Sequence, residues 1–485
     1  MVVNSINFLI FFIIVFAIYY LLGKSYKQQN TWLLISSYVF YGIAEWKMLP
    51  LLLIATLVFY LLGIIIETAN KSQSKRASIL TTFGTCLGIG LLFYFKYLNF
   101  FIESFSTFFN AIGLRTNFTT FNILMPLGIS FFTFKLISYI IEVHREHIPA
   151  EKNFITFATF IAFFPTILSG PIDRPQKFLP QLQEKRKFNY DMAVDGCKQI
   201  LWGMFKKMVI ADVLTSSLIT PSWENMASVS ALQLIIAALF YPLVMYTDFS
   251  GYSDMAIGIG KLLGIKVAIN FKYPFFSRNI AEYWRGWHIS LTSWLTDYVF
   301  MPLNIAFRNL GIHGSILAII INLVFVGMWH GANWTYFTFG LYHGILFIPL
   351  IYSGAFMSKK KMKTNKRDLP STSDFFKMLR TYLLVAIGHI IFISTDLNNT
   401  WEYISHCCSS ENWSIWQSLH IRDGIMAYFC LAGVLILEWR SRNKYEYPLL
   451  SFNGKRIFKW SIYILLLVLI IFYQGKPAEF IYFQF

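Results

Sequence analysis

Charge is scarce in this 485-residue sequence, where Asp, Glu, Lys and Arg together make up 14% of the residues. A soluble domain of ordinary composition carries about 25% charged residues. Hydrophobic residues make up 56% of the chain, so an ordinary soluble protein is excluded. Repeated apolar runs of about 15 to 20 residues predict an all-α polytopic membrane protein.

Cysteine is also sparse, and the five cysteines are Cys86, Cys197, Cys407, Cys408 and Cys430. Their positions match no metal-binding spacing, so we predict no metal site. A disulfide between the neighbours Cys407 and Cys408 would be strained, and we therefore predict no disulfide framework.

Several catalytic motifs are absent from the sequence. It contains no Gly-x-Ser-x-Gly, no His-Glu-x-x-His, no Gly-x-Gly-x-x-Gly and no P-loop. These absences disfavour a serine nucleophile on a sharp elbow, a zinc hydrolase and nucleotide hydrolysis by those routes. A histidine that acts as general base on a hydroxyl is the simplest chemistry that remains.

The net charge of +16 would suggest nucleic-acid binding in a soluble protein. Here the cations lie mostly in loops between apolar runs, which is the positive-inside pattern of membrane topology. We therefore expect no nucleic-acid partner. Lys24 and Lys27 follow the first run, and six cations lie between Lys359 and Arg367. These positions predict that both termini are extracytoplasmic.

The apolar runs predict about eleven transmembrane helices, plus re-entrant and interfacial helices, in one membrane-embedded domain over residues 1–485. Residues 153–170 are interrupted by Pro165 and predict a re-entrant segment. Residues 100–121 predict a segment along the outer interface. Residues 261–308 are basic, aromatic and too polar to span, so we predict short helices there.

His330 stands between runs without charged residues at 314–328 and 335–353. At 1.5 Å per residue it would lie roughly 24 Å along a helix that enters near Gly314, inside a hydrocarbon core about 30 Å thick. A titratable group at that depth is costly, so His330 is a candidate functional residue. From this stretch alone, a neutral structural histidine is an equally good interpretation.

A second dense motif covers residues 281–294. If it is helical, Trp284, His288 and Thr292 share one face. Taken alone, an interfacial aromatic belt that contains a histidine is the better interpretation. However, only His288 and His330 among the nine histidines follow a tryptophan, and imidazole suits proton transfer near neutral pH.

Seven short motifs, in their order and spacing, resemble the membrane-bound O-acyltransferase superfamily, in particular its bacterial alginate and peptidoglycan O-acetyltransferase branch. They are Pro-Leu-Gly-Ile-Ser-Phe-Phe-Thr-Phe at 126–134, Ser-Gly-Pro-Ile at 169–172, Gly-Met-Phe-Lys-Lys at 203–207, Asp-Phe-Ser-Gly-Tyr-Ser-Asp-Met-Ala at 248–256, Trp-His-Ile-Ser-Leu at 287–291, Trp-His-Gly-Ala-Asn-Trp at 329–334 and Phe-Ile-Tyr-Phe-Gln-Phe at 480–485. The Gly-Ala-Asn-Trp part favours polysaccharide O-acetyltransferases over the related D-alanyl enzyme.

This resemblance implies that His330 is the catalytic histidine and that His288 is a second essential site residue. It also implies a helical shell around a thin core in the bacterial cytoplasmic membrane, where a cytoplasmic donor and an extracytoplasmic acceptor approach one point. For Asp248 a packing role competes with an orienting role. Supporting roles are predicted for Trp284, Trp287, Asp248, Trp329 and Asn333.

The predicted reaction transfers an acyl group, most simply acetyl from acetyl-CoA, to a hydroxyl of an extracytoplasmic polysaccharide. This chemistry needs no metal and no bound cofactor, because the protein orients the reactants, excludes water and removes a proton. In the resembling systems a periplasmic serine-hydrolase-like partner passes the acetyl group to the polymer, and we predict such a partner here. Two alternatives remain: D-alanyl transfer to teichoic acid, and a non-enzymatic carrier or flippase for a lipid-linked glycan.

Overall fold

The structure is a computed structural model. It describes residues 3–21, 23, 25–114, 119–224, 226–357, 362, 364, 365, 368–409, 413, 424–444, 446–451 and 455–476. The described residues form helices and no β-strand, which confirms the all-α class. Lys24, the six cations between 359 and 367, and the 480–485 motif lie outside the described residues.

The chain divides into two compact units, one of Met1–Cys197 with Ala256–Ala268 and one of Lys198–Met255 with Ile269–Phe485. The single membrane-embedded domain stays a prediction. The α-helices of seven or more residues up to position 204 are α1 (Ile6–Leu21), α2 (Tyr26–Glu45), α3 (Leu49–Lys71), α4 (Arg76–Leu92), α5 (Leu98–Ala111), α6 (Ile129–His144), α7 (Phe154–Ala162), α8 (Pro175–Leu182) and α9 (Tyr190–Met204).

The helices of the second half follow in the same way. They are α10 (Ala231–Leu262), α11 (Ile280–Gly286), α12 (Ile289–Leu295), α13 (Ile312–His330), α14 (Trp334–Tyr352), α15 (Thr372–Ile393), α16 (Leu397–Cys408), α17 (Ile425–Ser441) and α18 (Arg456–Tyr473). The short helices that were predicted within residues 261–308 are therefore present as α11 and α12.

Seven helices in the described residues are long and apolar enough to cross a membrane, whereas the sequence predicts about eleven crossings. The count differs partly because the stretch Tyr26–Lys71, counted once among the seven, contains the two helices α2 and α3, joined by the short turn Trp46–Met48. Other predicted spans are too short, such as the 16-residue helices α1 and α6. The chain is nevertheless a multi-pass membrane protein.

In the first unit, α6 begins after Gly128, whose φ of 71° is left-handed. A Cβ at this glycine would overlap the carbonyl oxygen of Ile167, so only glycine fits both the backbone and the space. The predicted re-entrant segment is broken between α7 and the turn Phe164–Ile167. Residues 156–173 are all buried, which is what broken backbone at membrane depth requires.

In the second unit, α13 and α14 form a tightly packed hairpin. A Cβ at Gly327 would overlap the carbonyl oxygen of Tyr336, and a Cβ at Gly340 would overlap that of Leu323. The two helices therefore meet backbone to backbone, as small residues allow in membranes. This contact fixes the end of α13, where His330 is the last residue.

Candidate active site

The structure brings together the two Trp-His motifs that the sequence singles out. His330 is 4% exposed, and its ring lies 5.0 Å from that of Trp329 and 5.0 Å from that of Phe392. His288 is 1% exposed, and its ring lies 5.3 Å from that of Trp329 and 4.7 Å from that of Phe249. One indole therefore contacts both imidazoles, in surroundings that exclude water.

The expectation of one helical face through Trp284, His288 and Thr292 is wrong. Helix α11 ends at Gly286 and α12 begins at Ile289, so the two helices are separate. His288 stands between them with a left-handed backbone, at φ 44° and ψ 52°. Few non-glycine residues adopt this conformation, and it is commonly associated with functional sites.

The break has a tertiary cause, because residues 286–289 bond to a distant backbone segment. The carbonyl of Gly286 accepts from the N–H of Lys272 at 2.9 Å, and the N–H of Ile289 donates to the carbonyl of Asn270 at 2.8 Å. A Cβ at Gly286 would lie 2.8 Å from the Lys272 carbonyl. These bonds replace helical ones and place His288 at the turn.

Two further buried histidines contact the tryptophans of this motif. Nε1 of Trp284 donates to Nδ1 of His343 over 3.4 Å. The ring of His389 lies 5.9 Å from that of Trp287, and its Nδ1 lies 2.8 Å from the Val385 carbonyl oxygen. Neither His343 nor His389 is among the site residues predicted above. Each stands in an apolar helix, so the cost of a titratable group at membrane depth marks both of them as it marks His330.

Asp248 lies in a buried ion pair. Its carboxylate lies 2.6 Å from Nζ of Lys207, which also lies 2.8 Å from Asp212. The neighbouring Lys206 lies 2.7 Å from Asp254, so the two carboxylates of α10 bind different lysines. This pairing favours the packing role for Asp248 over the orienting role.

The pair of Lys207 and Asp212 depends on an unusual helix. Residues Phe205–Ala211 are π-helical, and a π-helix is hydrogen-bonded between residues five apart. Lys207 and Asp212 are five apart, so the wider helix brings them to one face. In an α-helix the same two side chains would point in different directions.

Asn333 has a structural position next to the catalytic motif. Its Oδ1 accepts from the N–H of Thr335 at 3.1 Å and so caps α14, while its Nδ2 donates to the Thr395 carbonyl at 2.7 Å. Both ends of the amide are therefore used within the protein. They hold the loop that follows His330.

A cavity of about 380 Å³ lies along the same helices. Trp284 of α11 forms part of its wall. Another part is one face of α13, formed by Ile319, Asn322 and Val326. His330 is one turn beyond Val326, on the same face of α13. The cavity therefore runs along the helix that carries His330.

Polar residues mark the outer part of this cavity. Arg285 and Asp297 line it and are exposed, whereas Trp284 and Asn322 line it and are buried. Within the described residues, no group of three His, Cys, Asp or Glu side chains is placed to hold a metal ion.

Comparison with known proteins identifies the family. Residues 38–383 match the model of the membrane-bound O-acyltransferase family. The probable alginate O-acetylase of Pseudomonas aeruginosa is 35% identical over 446 residues, which cover 89% of this chain and 81% of that protein. The peptidoglycan O-acetyltransferase of Helicobacter pylori is 33% identical over 390 residues, or 73% of this chain and 71% of that protein.

A more distant branch also matches. The teichoic acid D-alanyltransferase of Streptococcus thermophilus is 34% identical over 301 residues, which cover 58% of this chain and 71% of that protein. The family match extends over most of the chain and includes both histidine motifs. The chain therefore belongs to the membrane-bound O-acyltransferase family, and the protein is a multi-pass membrane O-acyltransferase.

Proposed function

We propose that this protein transfers an acetyl group from a cytoplasmic thioester, acetyl-CoA, toward hydroxyls of an extracytoplasmic polysaccharide. One observation carries the proposal: the stripe of α13 that lines the cavity at Asn322 and Val326 ends at His330. The lining ends at Val326, one turn before His330, so a thioester that extends past Val326 along α13 would approach the buried imidazole. Such a cavity is large enough for a small ligand arm.

In the proposed step, His330 is the general base. The acceptor hydroxyl loses its proton to the imidazole while its oxygen bonds to the thioester carbonyl carbon. The carbon–sulfur bond then breaks, and the proton passes from His330 to the leaving sulfur. A neutral imidazole can accept this proton, and such catalysis contributes about 10²- to 10⁴-fold.

His288 acts through its position in this scheme. Its ring contacts the Trp329 indole from one side while His330 contacts it from the other. Trp284 and Trp287 hold the donor side of the site. The two rings and the indole together exclude water from the thioester, which protects it from hydrolysis.

The donor is proposed to enter from the cytoplasm. Residues 261–308, from which α13 enters the membrane, carry six Lys or Arg and two Asp or Glu. Such a cationic excess is typical of cytoplasmic segments. The same rule supports a bacterial inner-membrane protein whose two termini are both extracytoplasmic. A reporter fused at Lys363 that reports an extracytoplasmic position would contradict this topology.

The acceptor class is inferred from the relatives. The alginate relative covers 89% of this chain and the D-alanyl relative 58%, which favours acetyl transfer to a polysaccharide. We propose that a periplasmic serine-hydrolase-like partner completes the transfer. The non-enzymatic carrier does not agree with membership of an acyltransferase family, and we set it aside.

The test compares two histidines of α13. His330→Gln keeps size and hydrogen bonding but removes a useful base, whereas His313→Gln changes an exposed histidine of the same helix. With full-length protein in lipid nanodiscs, acetyl-CoA and a soluble polysaccharide as acceptor, we expect acceptor-dependent thiol release to fall about 10²- to 10⁴-fold for His330→Gln. We expect no change for His313→Gln. Full activity of folded His330→Gln would make His330 structural and refute the mechanism.

A further inference from the structure

Asn322 is a buried polar residue that has no role in the acyl-transfer mechanism proposed above. It stands in the middle of α13, where the other residues from 316 to 328 are apolar. It is 5% exposed and lines the cavity, and its Oδ1 has no hydrogen-bond partner among the described residues. A buried amide oxygen usually has a partner, and a polar group at membrane depth marks a ligand path.

The distance from Asn322 to His330 constrains the ligand. The two residues are eight positions apart, which corresponds to about 12 Å along the helix axis. Ile319, Leu323 and Val326 line the cavity around this stretch. A ligand that extends from the base to Asn322 must therefore be narrow, largely uncharged, and able to donate a hydrogen bond about 12 Å from its reactive carbon.

The arm of a pantetheine thioester has these properties. It contains two amides, whose nitrogens lie four and eight bonds from the thioester carbon. An extended chain advances roughly 1.2 Å per bond, so the outer amide lies about 10 Å from the reactive carbon and the inner one about 5 Å. Only the outer amide is far enough from the carbon to reach Asn322.

We propose that Oδ1 of Asn322 accepts a hydrogen bond from the outer amide N–H of a pantetheine thioester whose acyl carbon lies at His330. This inference rests on the proposed function, because it requires a thioester donor in the cavity. Free coenzyme A and an acyl-carrier protein share this arm. In either case the phosphate end of the arm would lie toward the exposed Arg285.

Three acetyl thioesters distinguish the contribution of the outer amide to binding from that of the inner amide. S-acetyl-N-acetylcysteamine carries only the inner amide, acetyl-pantetheine carries both, and acetyl-CoA adds the nucleotide. Acceptor-dependent thiol release by the full-length protein in nanodiscs, with a soluble polysaccharide as acceptor, gives KM for each donor with wild type and Asn322→Leu. We expect Asn322→Leu to raise KM about 5- to 30-fold for acetyl-pantetheine and acetyl-CoA. For S-acetyl-N-acetylcysteamine, KM should stay within about twofold.

The matched control is Gln233→Leu. Gln233 is another buried amide whose Oε1 has no partner in the described residues, and it does not line the cavity. Its replacement should leave all three KM values unchanged. If Asn322→Leu reaches the membrane poorly, Asn322→Thr keeps a short acceptor, and we expect the same donor selectivity with a smaller effect.

The outcomes separate the two proposals. An equal rise of KM for all three donors, or no rise for any, would overturn the assignment of Asn322. Wild type that releases no thiol from any of the donors would instead refute the proposed function. An acetylated acyl-carrier protein, assayed beside acetyl-CoA, identifies the source of the arm, and the Asn322→Leu effect is expected with whichever donor wild type uses.

Discussion

The indole N–H of Trp284 donates to Nδ1 of His343 over 3.4 Å, and both side chains are buried. Nε2 of the same histidine has no hydrogen-bond partner in the described residues and faces Gly388, where a Cβ would lie 2.8 Å away. Gly388 therefore leaves room for the imidazole. The imidazole in turn fixes Trp284, which forms part of the cavity wall.

Replacing His343 should disturb donor binding through Trp284. His343→Phe leaves the buried indole N–H without an acceptor, which costs about 1–3 kcal/mol of stability. His343→Gln retains an acceptor and should recover much of this loss. We expect His343→Phe to raise KM for acetyl-CoA more than it lowers kcat, and steady-state kinetics of both variants measure this. A loss of stability without a change in KM would show that His343 only packs.

His288 should make stability depend on pH. Burial lowers the pKa of His288 to about 3, whereas an unfolded histidine titrates near 6.5. The folded state then binds fewer protons, so stability is complete above pH 6.5 and falls as the pH decreases below it. Going from pH 7.5 to 5.5 should cost about 1.4 kcal/mol through this residue.

Unfolding in detergent at the two pH values tests this dependence. His288→Asn is the comparison, because asparagine tolerates the left-handed backbone and does not titrate. The variant should lose less stability than wild type when the pH falls. Equal losses in the two proteins would contradict the expected protonation of His288.

Lys207 should be essential for folding because it balances two buried carboxylates. Lys207→Met leaves Asp212 and Asp248 without their cation, and breaking a buried pair costs about 3–5 kcal/mol. We expect little protein in the membrane. Adding Asp212→Asn and Asp248→Asn should restore the amount. As a control, Lys187→Met at an exposed position should leave the amount of protein unchanged. If the triple variant were as scarce in the membrane as Lys207→Met, the unpaired carboxylates would not be the cause of the loss.

Two glycines in helices should respond oppositely to alanine. At Gly340 a Cβ meets the Leu323 backbone, whereas at Gly90 nothing lies within 4 Å. Gly340→Ala should force α13 and α14 apart and lower both the unfolding temperature and the activity. Gly90→Ala should be neutral or stabilising by up to about 1 kcal/mol, the difference in helix propensity. Equal stability of the two variants would contradict the tight hairpin.

The candidate site is predictable from the sequence where its signal is local. A histidine within an apolar helix is recognisable in a short stretch of sequence, and the two Trp-His pairs indicate His288 and His330. His343 and His389 carry the same signal. Asn322 carries a weaker one, because an amide is polar but uncharged.

The remaining features depend on partners far along the chain. The turn at His288 exists because the backbone of residues 286–289 is hydrogen-bonded to that of residues 270–272. The helical periodicity of the sequence does not predict such long-range pairing. Likewise, Lys207 lies next to Asp212 only because the helix is π-helical there, and its second partner, Asp248, belongs to the distant helix α10. The number of spans counted differs where two helices are joined by a short turn, as between α2 and α3.

The backbone contact between α13 and α14 also bears on permeability. An enzyme that admits a donor from one side of a membrane and an acceptor from the other risks forming a leak for protons where the two paths meet. At Gly327 and Gly340 the two backbones lie too close even for a Cβ, so we infer that water cannot pass between the helices at these positions. We therefore expect vesicles that contain the protein to hold a pH gradient, and larger residues at these glycines to dissipate it.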